Sequence, residues 1–261
     1  MLAKERHVCI IELLKKNGAV TTGELTETLQ VSIETIRRDL LYLERQGHLQ
    51  RVHGGAVSVG SMHPYAELPQ RLESNSSGKA ELCRTASLLV DDGDIIFIDC
   101  GSTAVYFARA LLEREIHATV VTHSMDVFEI LSGKQAFRMI LCGGFYDANE
   151  KAFHGQLTLD ALRHIHVRKA FLCPSAVSLK NGIWDYDYAL IQVQAQAITA
   201  CDHAFFLADS DKFEKNALLK LCDTTENHTY FTDSAFPQHY RQLYQEHGMT
   251  VITCKDDIER K

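Results

Sequence analysis

Hydrophobic positions follow two different rhythms along the chain. Over the first sixty residues they recur at helical spacing. Ile10, Ile11, Leu13 and Leu14 make one apolar face that ends at "KKNG", where Gly18 suits a helix stop. Thr21 with Glu24 three residues on is a capping-box signature for a short second helix reaching about Leu29. After the tight turn "QVS", Ser32 can cap a third helix by accepting a backbone N–H, and Ile33, Ile36, Leu40 and Leu43 then form one buried stripe. Thr35, Arg38, Tyr42 and Arg45 repeat at the same spacing on a polar face, with Arg37 beside them. "HLQRVHGGAV" alternates and turns at Gly54-Gly55, which predicts a small β wing.

From Asp94 onward the rhythm changes to apolar run, small polar cluster, helical segment, repeated. "IIFID" ends in Cys100-Gly101-Ser102-Thr103, "ATVVT" in His123-Ser124 and "FRMIL" in Cys142-Gly143-Gly144. "KAFLC" ends in Pro174-Ser175, "AFFLA" in Asp209-Ser210-Asp211-Lys212 and "TYFT" in Asp233-Ser234. Strands alternating with helices imply right-handed crossovers and a mainly parallel sheet, so the clusters gather at its carboxyl edge, where α/β proteins bind ligands. Between the two rhythms, 58–78 is rich in Ser, Gly and Pro without apolar periodicity and reads as a linker. The expected organisation is therefore α/β: a winged helix-turn-helix over 1–57, a linker over 58–78 and a larger effector domain over 79–261. Lys79 is expected to open a helix over 80–90; the nearby "SSGKAEL" lacks the upstream Gly and the Ser/Thr of a P-loop.

Two helices across a short turn, the second carrying paired arginines, place the start of the second helix in the DNA major groove. A guanidinium there can hold guanine through two hydrogen bonds. Candidate DNA contacts are Thr22, Ser32, Glu34, Thr35, Arg37 and Arg38, with Arg51 and His53 of the wing near phosphate. The net charge of −7 speaks against this until it is divided: residues 1–60 carry eight Lys and Arg against seven Asp and Glu, the remainder 19 against 27. An acidic body with a near-neutral, Arg-bearing head is compatible with double-stranded DNA as partner.

The sheet edge offers hydroxyls, glycine amides, an imidazole, carboxylates and a lysine. This chemistry suits a phosphorylated sugar. Gly101, Ser102 and Thr103, at a helix start, and Lys212 would take the anion, and Asp99, His123, Ser124, Gly143, Gly144 and Asp209 line the same edge. Ordinary turn chemistry explains any one of these clusters alone.

Arg6, Ile10, Leu14, "SIETIRRDL" and "RVHGGA" resemble the DNA-binding signature of the DeoR family of bacterial transcriptional regulators. The loops "CGST", "THS", "CGG", "FHG" and "LADSDKF" resemble the motifs of that family's effector domain in order and spacing. The resemblance implies a repressor of carbohydrate catabolism genes that senses a phosphorylated sugar through a domain folded like ribose-5-phosphate isomerase. Cys100 stands where the family often has Ser, and His123 where it usually has Asn. The helix around "WDYDYALIQVQAQAITACD" lacks the Glu and Lys commonly found there.

A second reading makes the body an isomerase or hydrolase fused to a DNA-binding head, with Asp99, Asp209 or His123 as acid or base. No spacing specifies catalysis, so the expectation is a regulator and not an enzyme. No G-x-G-x-x-G follows a strand, and no cofactor is expected. Eight Cys are scattered without a C-x-x-C pair, and redox sensing by Cys100 or Cys142 is unforced. "HIH" at His164–His166 lacks neighbours to complete a tetrahedral set, so no metal is expected either. With no signal-peptide pattern or membrane-length apolar run, the expectation is a cytoplasmic homo-oligomer, dimer or tetramer, without a membrane partner.

Overall fold

The computed structural model describes residues 3–17, 19–46, 48–52, 54–58, 66–253 and 257. They form two compact units, Met1–Ala66 and Glu67–Lys261. Among the described residues no helix is long and apolar enough to cross a membrane.

The first unit runs α1 (Ala3–Asn17), β1 (Ala19–Thr21), α2 (Thr22–Leu29), α3 (Ile33–Arg45), β2 (Leu49–Val52) and β3 (Gly55–Ser58). Its strands make an antiparallel sheet in the order β1-β3-β2. The capping box forms as the spacing predicts: Glu24 N–H donates to Thr21 Oγ1 at 3.1 Å, and Thr21 N–H to Glu24 Oε2 at 2.9 Å. Ser32 caps α3 by accepting from Thr35 N–H at 3.3 Å. Ile10, Leu14, Val20, Leu25, Leu29, Ile36, Leu40 and Leu43 close one core. Ile33 departs from the expected stripe. It is the first residue of α3, ahead of the turn that packs inward, and is 46% exposed.

The second unit opens with α4 (Leu68–Glu73) and α5 (Ser76–Ser87). Both lie partly or wholly in the stretch expected to be a linker, and β3 also enters it at Ser58. Composition hides α4 because much of its anchoring is polar: Tyr106 donates to the Leu72 carbonyl at 3.0 Å, and only Leu68 is buried. Next come β4 (Ile95–Ile98), α6 (Gly101–Leu112), β5 (Ala118–Thr122), α7 (Met125–Ser132) and β6 (Phe137–Leu141). A hairpin of β7 (Phe145–Asp147) and β8 (Ala152–His154) leads to α8 (Gln156–Arg163) and β9 (Val167–Leu172). The chain continues with β10 (Ala176–Ser178), β11 (Gly182–Asp185), α9 (Tyr188–Thr199) and β12 (Cys201–Leu207). It ends with β13 (Leu219–Cys222), β14 (Thr229–Phe231), α10 (Gln238–Glu246) and β15 (Thr250–Ile252).

Seven strands pair in parallel in the order β15-β14-β12-β9-β4-β5-β6. All six expected strands are among them, and β15 is the addition. Ile96 and Ile98 face one apolar cluster with Phe107 and Leu111 of α6, while Phe97 faces the other with Val193 of α9 and Tyr244 of α10. Strands covered on both faces carry near-continuous apolar runs, which is why "IIFI" shows no alternation. After β4 the chain moves outward through β5 and β6, then returns to β9 on the other side of β4. The carboxyl ends of β4 and β9 therefore flank a topological switch point, where open α/β sheets form their ligand crevice.

Candidate functional site

In the first unit, α3 presents Ser32, Glu34, Arg37 and Arg38 to solvent, with Thr35 half-buried. Arg37 lies 3.8 Å from Glu34, a loose exposed pair, and among the described residues Arg38 has no ion pair. Arg51 on the wing is bound to Glu44 through its backbone N–H at 2.8 Å and faces the same carboxylate with its guanidinium at 3.9 Å. The Thr22 hydroxyl is used inside the unit, donating to the Gly54 carbonyl at 3.1 Å. His53 lies outside the described residues. Sequence reasoning missed what orients α3. Arg6 of α1 grips buried Asp39 through Nε at 2.7 Å and Nη2 at 3.1 Å, and His7 Nε2 reaches the same carboxylate at 2.9 Å.

In the second unit the expected residues divide into two clusters and a structural remainder. The first cluster fills the switch point. Asp99, at the end of β4, is buried; its Oδ2 accepts from Cys173 N–H and from Gln194 Nε2, both at 2.9 Å. Its Oδ1 faces His123 Nε2 at 3.1 Å, while His123 Nδ1 is 2.7 Å from the Phe153 carbonyl. A carbonyl only accepts, so Nδ1 carries a proton. Burial opposes the charge of Asp99, but His123, Cys173 and Gln194 hold its carboxyl below the usual range. Gln194 also reaches Asp185 at 3.2 Å, whose other oxygen accepts from Ser175 and from Tyr186 N–H. Burial pushes Asp185 up to about 6. Gln194 and Asp185 were missed as site residues, because α9 and β11 reach Asp99 only in the folded unit; Ser175 was named at its strand end but not as a site residue.

The second cluster surrounds the start of α6. Gly101 has φ +87°, a left-handed conformation that L side chains rarely adopt. A Cβ there would also lie 3.2 Å from Arg71 Nη1, so the guanidinium packs against the Gly101 backbone. Cys100 caps α6 without a side-chain hydrogen bond. Thr103, in the first turn, is buried and its Oγ1 has no hydrogen-bond partner among the described residues. Arg71 in turn holds buried Glu150 through both carboxylate oxygens at 2.6 Å. Lys79 is buried; its Nζ donates to the carbonyls of Arg71 and Ser74 and lies 3.8 Å from Asp209. Lys212 donates to the Pro174 carbonyl at 3.0 Å. Burial lowers the pKa of Lys79; Asp209 opposes this, and the charges of Lys212 and Arg71 add to it. Three cations thus share this edge with two carboxylates, Asp209 beside Lys79 and Glu150 on Arg71. Arg71 was missed because it sits in the stretch expected to be a linker.

The remaining expected residues hold the framework. Ser124 caps α7 by accepting from Val127 N–H at 3.3 Å. The Gly143 carbonyl accepts from Thr158 at 3.0 Å. A Cβ at Gly144 would stand 2.3 Å from Thr158 Oγ1 and 2.5 Å from the His154 carbonyl. For these three, turn and packing chemistry accounts for the residue type.

Comparison with known proteins covers both units. Residues 6–62 match the model of the DeoR-like helix-turn-helix domain, and residues 74–234 that of the DeoR C-terminal sensor domain. The chain is 32% identical over 248 residues to the L-fucose operon activator of Haemophilus influenzae, covering 95% of this chain and 99% of that protein. It is 30% identical over 254 residues to the glycerol-3-phosphate regulon repressor of Escherichia coli K12, covering 97% and 100%. It is 33% identical over 248 residues to the lactose phosphotransferase system repressor of Lactococcus lactis, covering 94% and 97%. A solved ribose 5-phosphate isomerase A from Methanocaldococcus jannaschii aligns loosely, with a TM-score of 0.39, 20% identity, and 54% and 55% of the two chains covered.

Proposed function

The chain belongs to the DeoR family of transcriptional regulators, and on that premise we propose that it reads operator DNA through α3 and changes its DNA affinity when a phosphorylated sugar occupies the carboxyl edge of the seven-stranded sheet. The observation that carries the effector half is the start of α6. Buried Thr103 Oγ1 lacks a partner there, and Arg71 lies against Gly101. Free N–H groups at a helix start, a hydroxyl donor and a guanidinium make a phosphate subsite. Asp99, His123, Gln194 and Asp185 then stand on the side of the sugar hydroxyls.

The regulated genes, by analogy with relatives named for fucose, glycerol-3-phosphate and lactose systems, serve carbohydrate use. Relatives include an activator as well as repressors; repression is our reading. The site is read as a sensor because Asp99 already accepts from Cys173 and Gln194 and faces His123, so its carboxylate is a poor general base. A homodimer, or a tetramer built from dimers, would set two copies of α3 about 34 Å apart on successive major-groove faces.

A thermal-shift screen of phosphorylated and free sugars, with product analysis of each hit, tests this. Stabilisation by a sugar phosphate, weaker with the free sugar and without conversion, is expected. Equal stabilisation by the free sugar removes the phosphate subsite, and turnover replaces the sensor with an enzyme.

A further inference from the structure

Cys100, just after β4, and His123, just after β5, meet in the fold. Asp99, Cys100 and His123 each turn one donor atom towards the others, all within 4.8 Å, and all three residues are buried. This is the one such group among the described residues. It joins two strand ends, so no local spacing in the sequence reveals it.

The groups behind these donors are arranged as metal ligands require. A ligating imidazole commonly gives its other N–H to a backbone carbonyl, and His123 does so at Phe153. Ligating carboxylates are themselves hydrogen-bonded, and Asp99 Oδ2 holds the Cys173 amide and Gln194. That leaves Nε2 of His123 and Oδ1 of Asp99 facing each other at 3.1 Å in a buried space. Two acceptors at that distance need a positive charge between them, either a proton or a cation. A nitrogen and an oxygen on a shared tetrahedral ion stand ~3.3 Å apart, close to this spacing, and the Cys100 sulfur lies within 4.8 Å of both.

We propose that Asp99, Cys100 and His123 form a three-ligand site for a divalent transition-metal ion of the zinc type. Imidazole nitrogen and thiolate sulfur favour such an ion over magnesium or calcium. On binding, the Cys100 thiol and the Nε2 position of His123 release any protons they hold to solvent, and sulfur, nitrogen and carboxylate oxygen become ligands. The fourth position is left for water or, on the sensor reading above, a sugar hydroxyl. The ion site stands without that reading; only the identity of the fourth ligand rests on it.

Full-length protein stripped with chelator is titrated with Co2+ in the absence of sugar phosphates, so failure here is distinct from failure of the effector reading. One equivalent is expected to bind with a near-ultraviolet thiolate-to-cobalt charge-transfer band and to be displaced by Zn2+. Cys100→Ser removes the band, His123→Asn weakens binding at least tenfold, and Cys201→Ser, at the opposite end of β12, leaves both unchanged. The absence of saturable binding, or a band that survives Cys100→Ser, overturns the site. Should Cys100→Ser lose its cooperative melt, X-ray absorption of the zinc-loaded wild-type protein decides: one sulfur with nitrogen and oxygen neighbours supports the site, and a shell without sulfur overturns it.

Discussion

Thr103 shows how much one atom can report. A buried hydroxyl without a partner costs on the order of 1–3 kcal/mol, so a Val of the same shape should not destabilise the protein. Thr103→Val is therefore expected to keep or raise the melting temperature while lowering sugar-phosphate affinity, read in the same thermal-shift series. A hydroxyl with only a packing role would leave that affinity unchanged. Asp185 gives a pH signature. Its folded pKa of about 6, raised by burial, lies above the ordinary carboxylate value of about 4. Between the two the folded protein holds a proton that the unfolded chain has released. The stability that this carboxyl contributes is then fully present below about pH 4 and is lost as pH rises through about 6, by up to ~3 kcal/mol. Asp185→Asn should flatten that part of a melting-temperature profile.

Among the elements, α3 separates reading from support. Arg38→Ala is expected to weaken operator binding, by ~1–3 kcal/mol if the guanidinium contacts a base, with no change in melting temperature. Anisotropy on an operator selected from random duplexes checks this. Asp39→Asn should do the opposite in stability: it loosens the Arg6 and His7 grip, lowers the melting temperature, and weakens DNA binding through misplacement of α3. The elements also differ in how far the sequence revealed them. β4, β5, β6, β9, β12 and β14 were legible because burial on both faces forces apolar runs, and α2 and α3 because caps mark their starts. β15 offers only three residues, and α4 is bound by Arg71, Tyr106 and carbonyl contacts that leave no periodic trace. Gly101, Thr103 and Asp99 were readable from their strand end; Arg71 against Gly101, Gln194 on Asp99 and Asp185 behind Gln194 come from other elements, over distances set only by the fold.

At the scale of the whole molecule, the function requires that effector and operator compete or cooperate through free energy, not through shared atoms. Whatever factor a sugar phosphate takes from DNA affinity, operator DNA must take from sugar-phosphate affinity. Titrating the effector with and without saturating operator should return equal factors, and unequal ones would mean that the two ligands are not linked by a single equilibrium. The pairing of Arg71 with Glu150 adds a setting to this device. Glu150 is a carboxylate already seated on the guanidinium that, in the proposed subsite, would take the phosphate. On that proposal Glu150 competes with the phosphate at unchanging local concentration, and the pair would set the effector level at which the regulator responds. Glu150→Gln should move the midpoint of the dose-response curve to lower sugar phosphate while leaving the ranking of sugars intact, so that sensitivity can drift in evolution independently of what is sensed.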